Sequence, residues 1–210
     1  DPDLKPFRQT EFTVGYERQI SRDYIFSSRY THKQVDRAVE DLGFINAGGS
    51  EVFLIGNPGI GLAGQTFTDS GLIPLKATRD YDALELRLDK RLSNNFYFNA
   101  SYTYSRLFGN YAGLASSDEG GRTSPNVNRN FDSPISGYSA LGQPDDGRLG
   151  TDRPHLFKIS AGYNVDWGSS NTTEFTGFQN ISSGTPITTT VTVLGIGTIP
   201  LNGRGDLGRT

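Results

Sequence analysis

Glu85, Arg87, Asp89 and Arg91 occupy alternate positions of the run YDALELRLDKRL. An extended chain turns successive side chains to opposite faces, so these four stack along one wall of a strand. Acid alternating with base makes a surface that can hold a polar solute or a polar protein face. The commoner outcome is a solvated lining whose charges pair with one another. Asn99, in the strand that follows, adds an amide of the same character.

Three further patterns offer chemistry. Gly59, Gly61 and Gly64 spell G-x-G-x-x-G, which binds a dinucleotide when it links a strand to a helix whose first amides meet the pyrophosphate. The following QTFTDSGLIP has no helical periodicity and contains Gly and Pro, so a flexible or hairpin loop is expected. Asp145, Asp146 and Asp152 in QPDDGRLGTDR could offer oxygen ligands to calcium. Their spacing does not match an EF-hand, so a solvated turn is expected and no metal is assigned. His32 and His155 are the only histidines, and no His, Ser and Asp grouping suggests a relay. The chain is read as a non-enzyme without a cofactor. The N-x-[ST] matches at Asn99, Asn171 and Asn180 fall within expected strands or beside a turn and are read as chance.

Composition narrows the class. Only 34% of the 210 residues are hydrophobic, and no apolar run approaches the ~20 residues of a membrane-crossing helix. A mean hydropathy of -0.47 does not exclude insertion by strands, because a barrel strand crosses lipid with ~9–11 residues and turns every second one inward. The net charge of -3 gives no basic field for nucleic acid. With no cysteine, disulfide scaffolds, zinc-thiolate sites and thiol catalysis are excluded together. The chain opens on Asp1-Pro2 without the pattern of an export signal and is expected to be a piece of a longer protein.

Three hairpins must position the charged wall. In the first, EFTVGYERQI sets Phe12, Val14 and Tyr16 against Glu11, Thr13 and Glu17, turns around Ser21-Arg22-Asp23, and returns through Tyr24, Phe26, Ser28 and Tyr30. In the second, Leu84, Leu86, Leu88 and Leu92 oppose the charged set, Ser93-Asn94-Asn95 supplies the turn, and Phe96, Phe98, Ala100, Tyr102, Tyr104 and Phe108 return opposite a polar row. The third rises in HLFKISAGYNV, turns at Asp166-Trp167-Gly168-Ser169-Ser170, and returns in NTTEFTGFQNI. There Phe175 and Phe178 differ in parity, and a β-bulge would reconcile them.

Between the hairpins, residues 34–79 and 109–152 are rich in Gly, Asn, Asp, Ser and Pro and read as long loops. Short turns at one end and long loops at the other match outer-membrane barrels, with periplasmic turns and extracellular loops. The expected fold is all-β, an antiparallel transmembrane β-barrel segment of about six strands in three hairpins. The charged wall then faces the lumen: Glu85, Arg87, Asp89, Arg91 and Asn99. Tyr16, Tyr24, Phe96, Tyr104 and Trp167 are expected at the membrane interfaces, where an aromatic ring is sheltered and its polar edge is wet.

The segments LKPFRQTEFTVGYERQISRDYIFSSRYTHK, DYDALELRLDKRLSNNFYFNASYTYSRLFGN, TDRPHLFKISAGYNV and ISSGTPIT, in this order, resemble the C-terminal part of TonB-dependent receptors of the Oar-like type. The resemblance covers nearly the whole chain. It implies a barrel of about 22 strands closed by a plug, loops that capture a scarce solute, and release driven by the TonB complex acting on the plug. A TonB box, the plug, most strands and the terminal aromatic-ended strand are not in this sequence. The remainder of the barrel would come from a parent protein, since six strands are fewer than the ~8 that close the smallest barrels. The expected setting is the bacterial outer membrane, with lipid, plug, TonB complex and an unidentified solute as partners and no nucleic acid. A passive porin, a surface-binding barrel and a soluble β-rich binding module are the competing readings.

Overall fold

The computed structural model describes residues 1–46, 48–69, 74–113, 131, 137–168, 170–194 and 197–210. Six long strands carry the architecture: β1 (Arg8–Gln19), β2 (Tyr24–Arg37), β5 (Arg79–Ser93), β6 (Phe96–Gly109), β8 (His155–Asp166) and β9 (Thr172–Ser182). They form one antiparallel sheet in that order, with the short β7 (Gly147–Arg148) on the far end of β6. Between β2 and β5 lie β3 (Glu40–Ile45), β4 (Glu51–Gly56) and helix α1 (Gly61–Asp69). After β9 come β10 (Pro186–Ile187), β11 (Thr190–Val193), β12 (Gly197–Pro200) and β13 (Gly208–Arg209), which pair as β10 with β13 and β11 with β12.

The turn residues do what their chemistry allows. Asn94 and Asn95 both take positive φ, 52° and 63°, the backbone of a two-residue hairpin turn whose twist matches its strands. Gly168 and Ser170 supply φ of 81° and 71° in the third turn. Each hairpin also steps past the last. Tyr24, the first residue of β2, pairs with Lys90, but β5 runs on to Ser93; Phe96, the first residue of β6, pairs with Tyr163, but β8 runs on to Asp166. A sheet stepped in one direction has strands inclined to the plane of its turns, as barrel closure requires.

Two details differ from the alternation expected. Between Lys90 and Ser93 the register slips, and Ser93 rather than Leu92 comes opposite Phe96. No slip occurs in β9: its pairing with β8 is continuous from Thr172 to Ser182, so Phe175 stands level with Tyr163 and Phe178 level with Ser160 on the opposite face. A bulge does not reconcile the two rings.

Pairing sorts the sheet into two faces. One carries Phe12, Val14, Tyr30, Leu84, Leu86, Tyr102, Phe157 and Ile159; the other carries Glu11, Thr13, Arg29, Glu85, Arg87, Ser101 and Lys158. Among the described residues no second layer covers either face. Phe12 is 58% exposed, Val14 54% and Phe175 59%, far more contiguous apolar surface than a water-soluble monomer leaves open.

The buried core lies at the long-connection end instead, where Val35, Ala38, Leu42, Ala63, Leu75, Ala77, Tyr111, Phe131 and Tyr138 cluster with Leu54 against them. The region 34–79, expected as loop, is therefore a packed unit: the end of β2, the β3–β4 hairpin and α1. The helix corrects the reading of QTFTDSGLIP. It forms despite poor propensity because Ala63, 1% exposed, seats in the core, and tertiary burial outweighs propensity in a helix this short. Two buried asparagines clip this unit. The Asn57 amide donates to Lys5 O and Ala38 O, each at 2.8 Å, and its oxygen accepts from Lys5 N. Asn110 donates to Lys76 O and accepts from Thr78 N.

On the polar face the Tyr97 ring lies across Gly162, where any Cβ would collide with it, and the Tyr97 hydroxyl donates to Glu174 Oε1 at 2.8 Å. One aromatic ring thus ties β6 to β9 across β8. Gly162→Ala is expected to lower stability by about 1–3 kcal/mol through overpacking, with Tyr97→Ala in the same chain recovering part of it. Urea unfolding followed by heat-modifiable gel mobility measures both.

Candidate functional site

Three of the five residues expected on the charged wall enter one chain of contacts. Arg87 Nε pairs with Asp89 Oδ2 at 2.8 Å, and the Asn99 amide donates to the same carboxylate. Glu85 pairs instead with Arg29 of β2 at 3.2 Å. Arg91 stands apart, because the register slip after Lys90 ends the alternation. Its backbone N–H donates to Asp23 O and its side chain is exposed. The sheet adds groups that one strand cannot reveal: Lys33 pairs with Glu11 at 3.1 Å, and Thr13 meets Thr31 between these ion pairs. With Tyr81, Ala83 and Thr103 these residues line a hollow of about 530 Å³. Ion pairs at this exposure contribute little stability. Their effect is to present fixed donors and acceptors of both signs without a net field.

On the apolar face, charge is confined to the ends. Asp82 and Lys90 stand eight positions apart on β5, about 26 Å along a strand at ~3.3 Å per residue and about 20 Å in height at a tilt of ~40°. At the long-connection end Asp82 Oδ1 accepts from the Tyr30 hydroxyl at 2.7 Å and lies 2.8 Å from His32 Nδ1, while Arg106 lies over the Phe108 ring. His155 meets the Tyr102 hydroxyl at 2.7 Å. Of the aromatics expected at interfaces, Tyr24, Phe96 and Trp167 sit at the short turns, and the Trp167 indole N–H donates to Thr173 Oγ1 at 2.9 Å. Tyr104 is level with His155 at the opposite end, and Tyr16 lies further in, level with Leu86. Lys90 breaks the leucine row yet reaches back to the turn, where its ammonium donates to Ser93 O, Ser93 Oγ and Phe96 O. Its stem stays on apolar surface while its charge leaves it.

Beyond the sheet, two of the three aspartates expected in a solvated turn, Asp145 and Asp152, are buried, and Asp146 is exposed. Asp152, 1% exposed, accepts from Leu107 N at 2.7 Å, from Arg148 at 3.1 Å and from Arg209 of β13. Asp145, 0% exposed, takes Arg204 Nε at 2.6 Å. Asp146 instead receives the Thr78 hydroxyl. This latch binds the last ten residues onto the loop 145–152. Burial pushes the Asp145 carboxyl above the usual range, against the pull of Arg204. Burial likewise pushes the Tyr138 phenol up to about 12 and raises Tyr111, which also faces Glu40. Among the described residues no three His or acidic side chains converge as a metal site.

The strand–glycine–helix order around Gly59 and Gly64 does exist, but the glycines answer to packing. A Cβ at Gly59 would strike the Lys76 backbone, one at Gly64 would strike Gly59, and the Asp1 carboxylate sits beside Gly61 at the helix start. An acid there repels phosphate, and β4 pairs antiparallel with β3 rather than in a βαβ unit.

A family model described as an outer membrane beta barrel domain matches residues 1–205. The chain belongs to this outer-membrane β-barrel family. Its place is therefore the bacterial outer membrane, and its unclosed sheet is barrel wall. The chain is also similar to the TonB-dependent transporter Oar of Myxococcus xanthus, 30% identical over 187 residues. That stretch is 89% of this chain and 16% of the relative, so the chain spans about one-sixth of the length of the protein it matches. No solved structure matches it.

Sequence reasoning missed the arginine partners of this barrel domain's loops, since Asp152 and Arg209 are 57 residues apart. It could have found Glu11 and Lys33, which a hairpin centred on Ser21–Arg22–Asp23 brings opposite one another. Asp152→Ala removes the buried carboxylate shared by Arg148, Arg209 and the Leu107 amide, and is expected to cost the latch about 3 kcal/mol. Hydrogen exchange at Leu107 and across 145–153 should rise while the amides of β5, and of β6 from Phe98 to Tyr104, stay protected. Asp145 behaves oppositely: because its folded pKa is raised, its contribution is present at low pH and is lost as pH rises through that pKa. Asp145→Asn should therefore leave exchange in the latch no faster than wild type at neutral pH, and the wild-type latch should tighten on acidification toward the folded pKa of Asp145.

Proposed function

We propose that this chain is an arc of the barrel of an energy-coupled outer-membrane uptake receptor and has no enzymatic role. The observation that carries the reading is the division of one unclosed sheet into a face of paired charges and a face uncharged except at its ends. Both edge strands, β1 and β9, are exposed along their whole length. In lipid such edges need further strands, because unpaired backbone groups cost several kcal/mol each, roughly. Those strands belong to a parent protein, as does a plug that fills the lumen.

In this reading Glu85, Arg87, Asp89 and Asn99 line the lumen together with Arg29, Glu11 and Lys33, and Arg91 sits at its periplasmic rim. The short turns face the periplasm. Tyr24, Phe96 and Trp167 mark the periplasmic interface and Tyr104 the outer one. The packed unit over 38–78 and the latched loop 137–153 stand outside the cell, where solute is captured. The likeness to a TonB-dependent transporter supports coupling to the TonB complex through the plug, and no partner involves nucleic acid.

The test is permeability with and without energy. Liposomes carrying the parent protein should hold small solutes as tightly as empty ones, and cells should lose the protein-dependent uptake when TonB is deleted. Liposomes that leak passively, with uptake indifferent to TonB, would establish a porin instead.

A further inference from the structure

The apolar face is not uniformly filled. At the turn end of β6, β8 and β9 there is a shallow groove of about 490 Å³, lined by Phe96, Ile159, Ala161, Tyr163, Phe175 and Gly177. Its shape follows from the pairing. Phe96, Tyr163 and Phe175 stand side by side across three strands as one wall. The next row on the same face runs Phe98, Ala161, Gly177, so the side chains dwindle from a ring to a methyl to nothing. Ile159 and Gln179 form the far wall. Nothing stands within 4 Å of where a Gly177 side chain would begin.

Lys90 stands on β5, in the row of Phe98, Ala161 and Gly177, and is not itself part of the lining; its ammonium reaches the Phe96 wall. Its Nζ is 5.5 Å from the centre of the Phe96 ring and 2.6 Å from Phe96 O. All the hydrogen-bond partners recorded for this ammonium are neutral oxygens of residues 91, 93 and 96, and no ion pair of Lys90 is found among the described residues. An uncompensated cation therefore sits where the hydrocarbon-facing surface ends. Trp167 is tied to Thr173 at the neighbouring turn.

We propose that this groove is a binding site for one phospholipid of the leaflet on the short-turn side, with an acyl chain along Ala161 and Gly177 and the headgroup phosphate at Lys90. The groove and the cation are complementary to the two halves of such a molecule and lie in the order that the leaflet imposes. Additional strands of a closed barrel extend the sheet sideways beyond β9 and leave the groove open to lipid. The leaflet assignment rests on the orientation proposed above; the groove and its cation do not.

Native mass spectrometry of the protein, extracted from outer membranes in mild detergent and offered phosphatidylglycerol, reads the retained lipid directly. Gly177→Leu fills the groove without a backbone clash, and Ala161→Leu fills it from the neighbouring strand. Both should lose one retained lipid relative to wild type, whereas Leu84→Phe, on the same face outside the groove, should not. Lys90→Gln should weaken retention by about five-fold, as expected for one basic side chain near an anionic surface, and Lys90→Arg should restore it. Heat-modifiable mobility confirms that each variant is folded. Unchanged retention in both leucine variants, or a protein chain held in place of the lipid, overturns the proposal. Uptake is measured separately, so a receptor that transports without retaining lipid refutes the site and leaves the receptor reading standing.

Discussion

Everything in this molecule depends on one requirement, that backbone N–H and C=O groups in contact with hydrocarbon be paired within the protein. The register of the six long strands is the form that requirement takes. It holds Phe12, His32, Asp82 and Arg106 in one row and Thr13, Thr31, Ala83 and Ser105 in the next. Because the side-chain period is two, a slip of one residue would carry charge onto the apolar face and leucine onto the polar one. The slips that do occur lie at strand ends, between Arg8 and Gln9 and between Lys90 and Ser93, and at the second the Lys90 ammonium reaches Ser93 O and Phe96 O.

The two faces then solve different problems. The apolar face gains stability from lipid rather than from a second protein layer, so its large side chains remain exposed and its small ones leave relief that lipid can enter. The polar face carries charges that neutralise one another in neighbouring pairs, Glu11 with Lys33 and Arg29 with Glu85. Each pair spans adjacent strands, so the pattern of charge depends on the register as firmly as the hydrogen bonds do.

Protein-like burial is concentrated at the long-connection end of the strands. There Asn57 and Asn110 satisfy backbone groups that no ladder reaches, and Asp145 and Asp152 hold arginines brought from the end of the chain. Polar residues abundant in loops serve here as internal connectors, so a composition typical of flexible loop belongs to a packed unit.

The sequence by itself determined the six strands, the two faces and the three short turns, because alternation and Asn94-Asn95 turn chemistry act over neighbouring residues. It also contained the register of the first hairpin, and hence the approach of Glu11 to Lys33. Only the tertiary structure decided what lies opposite across the long connections: Arg29 with Glu85, Tyr97 over Gly162, Arg209 on Asp152. The same holds for α1, whose local signals are poor and whose stability comes from the seat of Ala63 in a core assembled from distant segments. The physical reason is shared. A period of two fixes which way a side chain points, but a contact across a long connection depends on loop closure and burial, which no local pattern records.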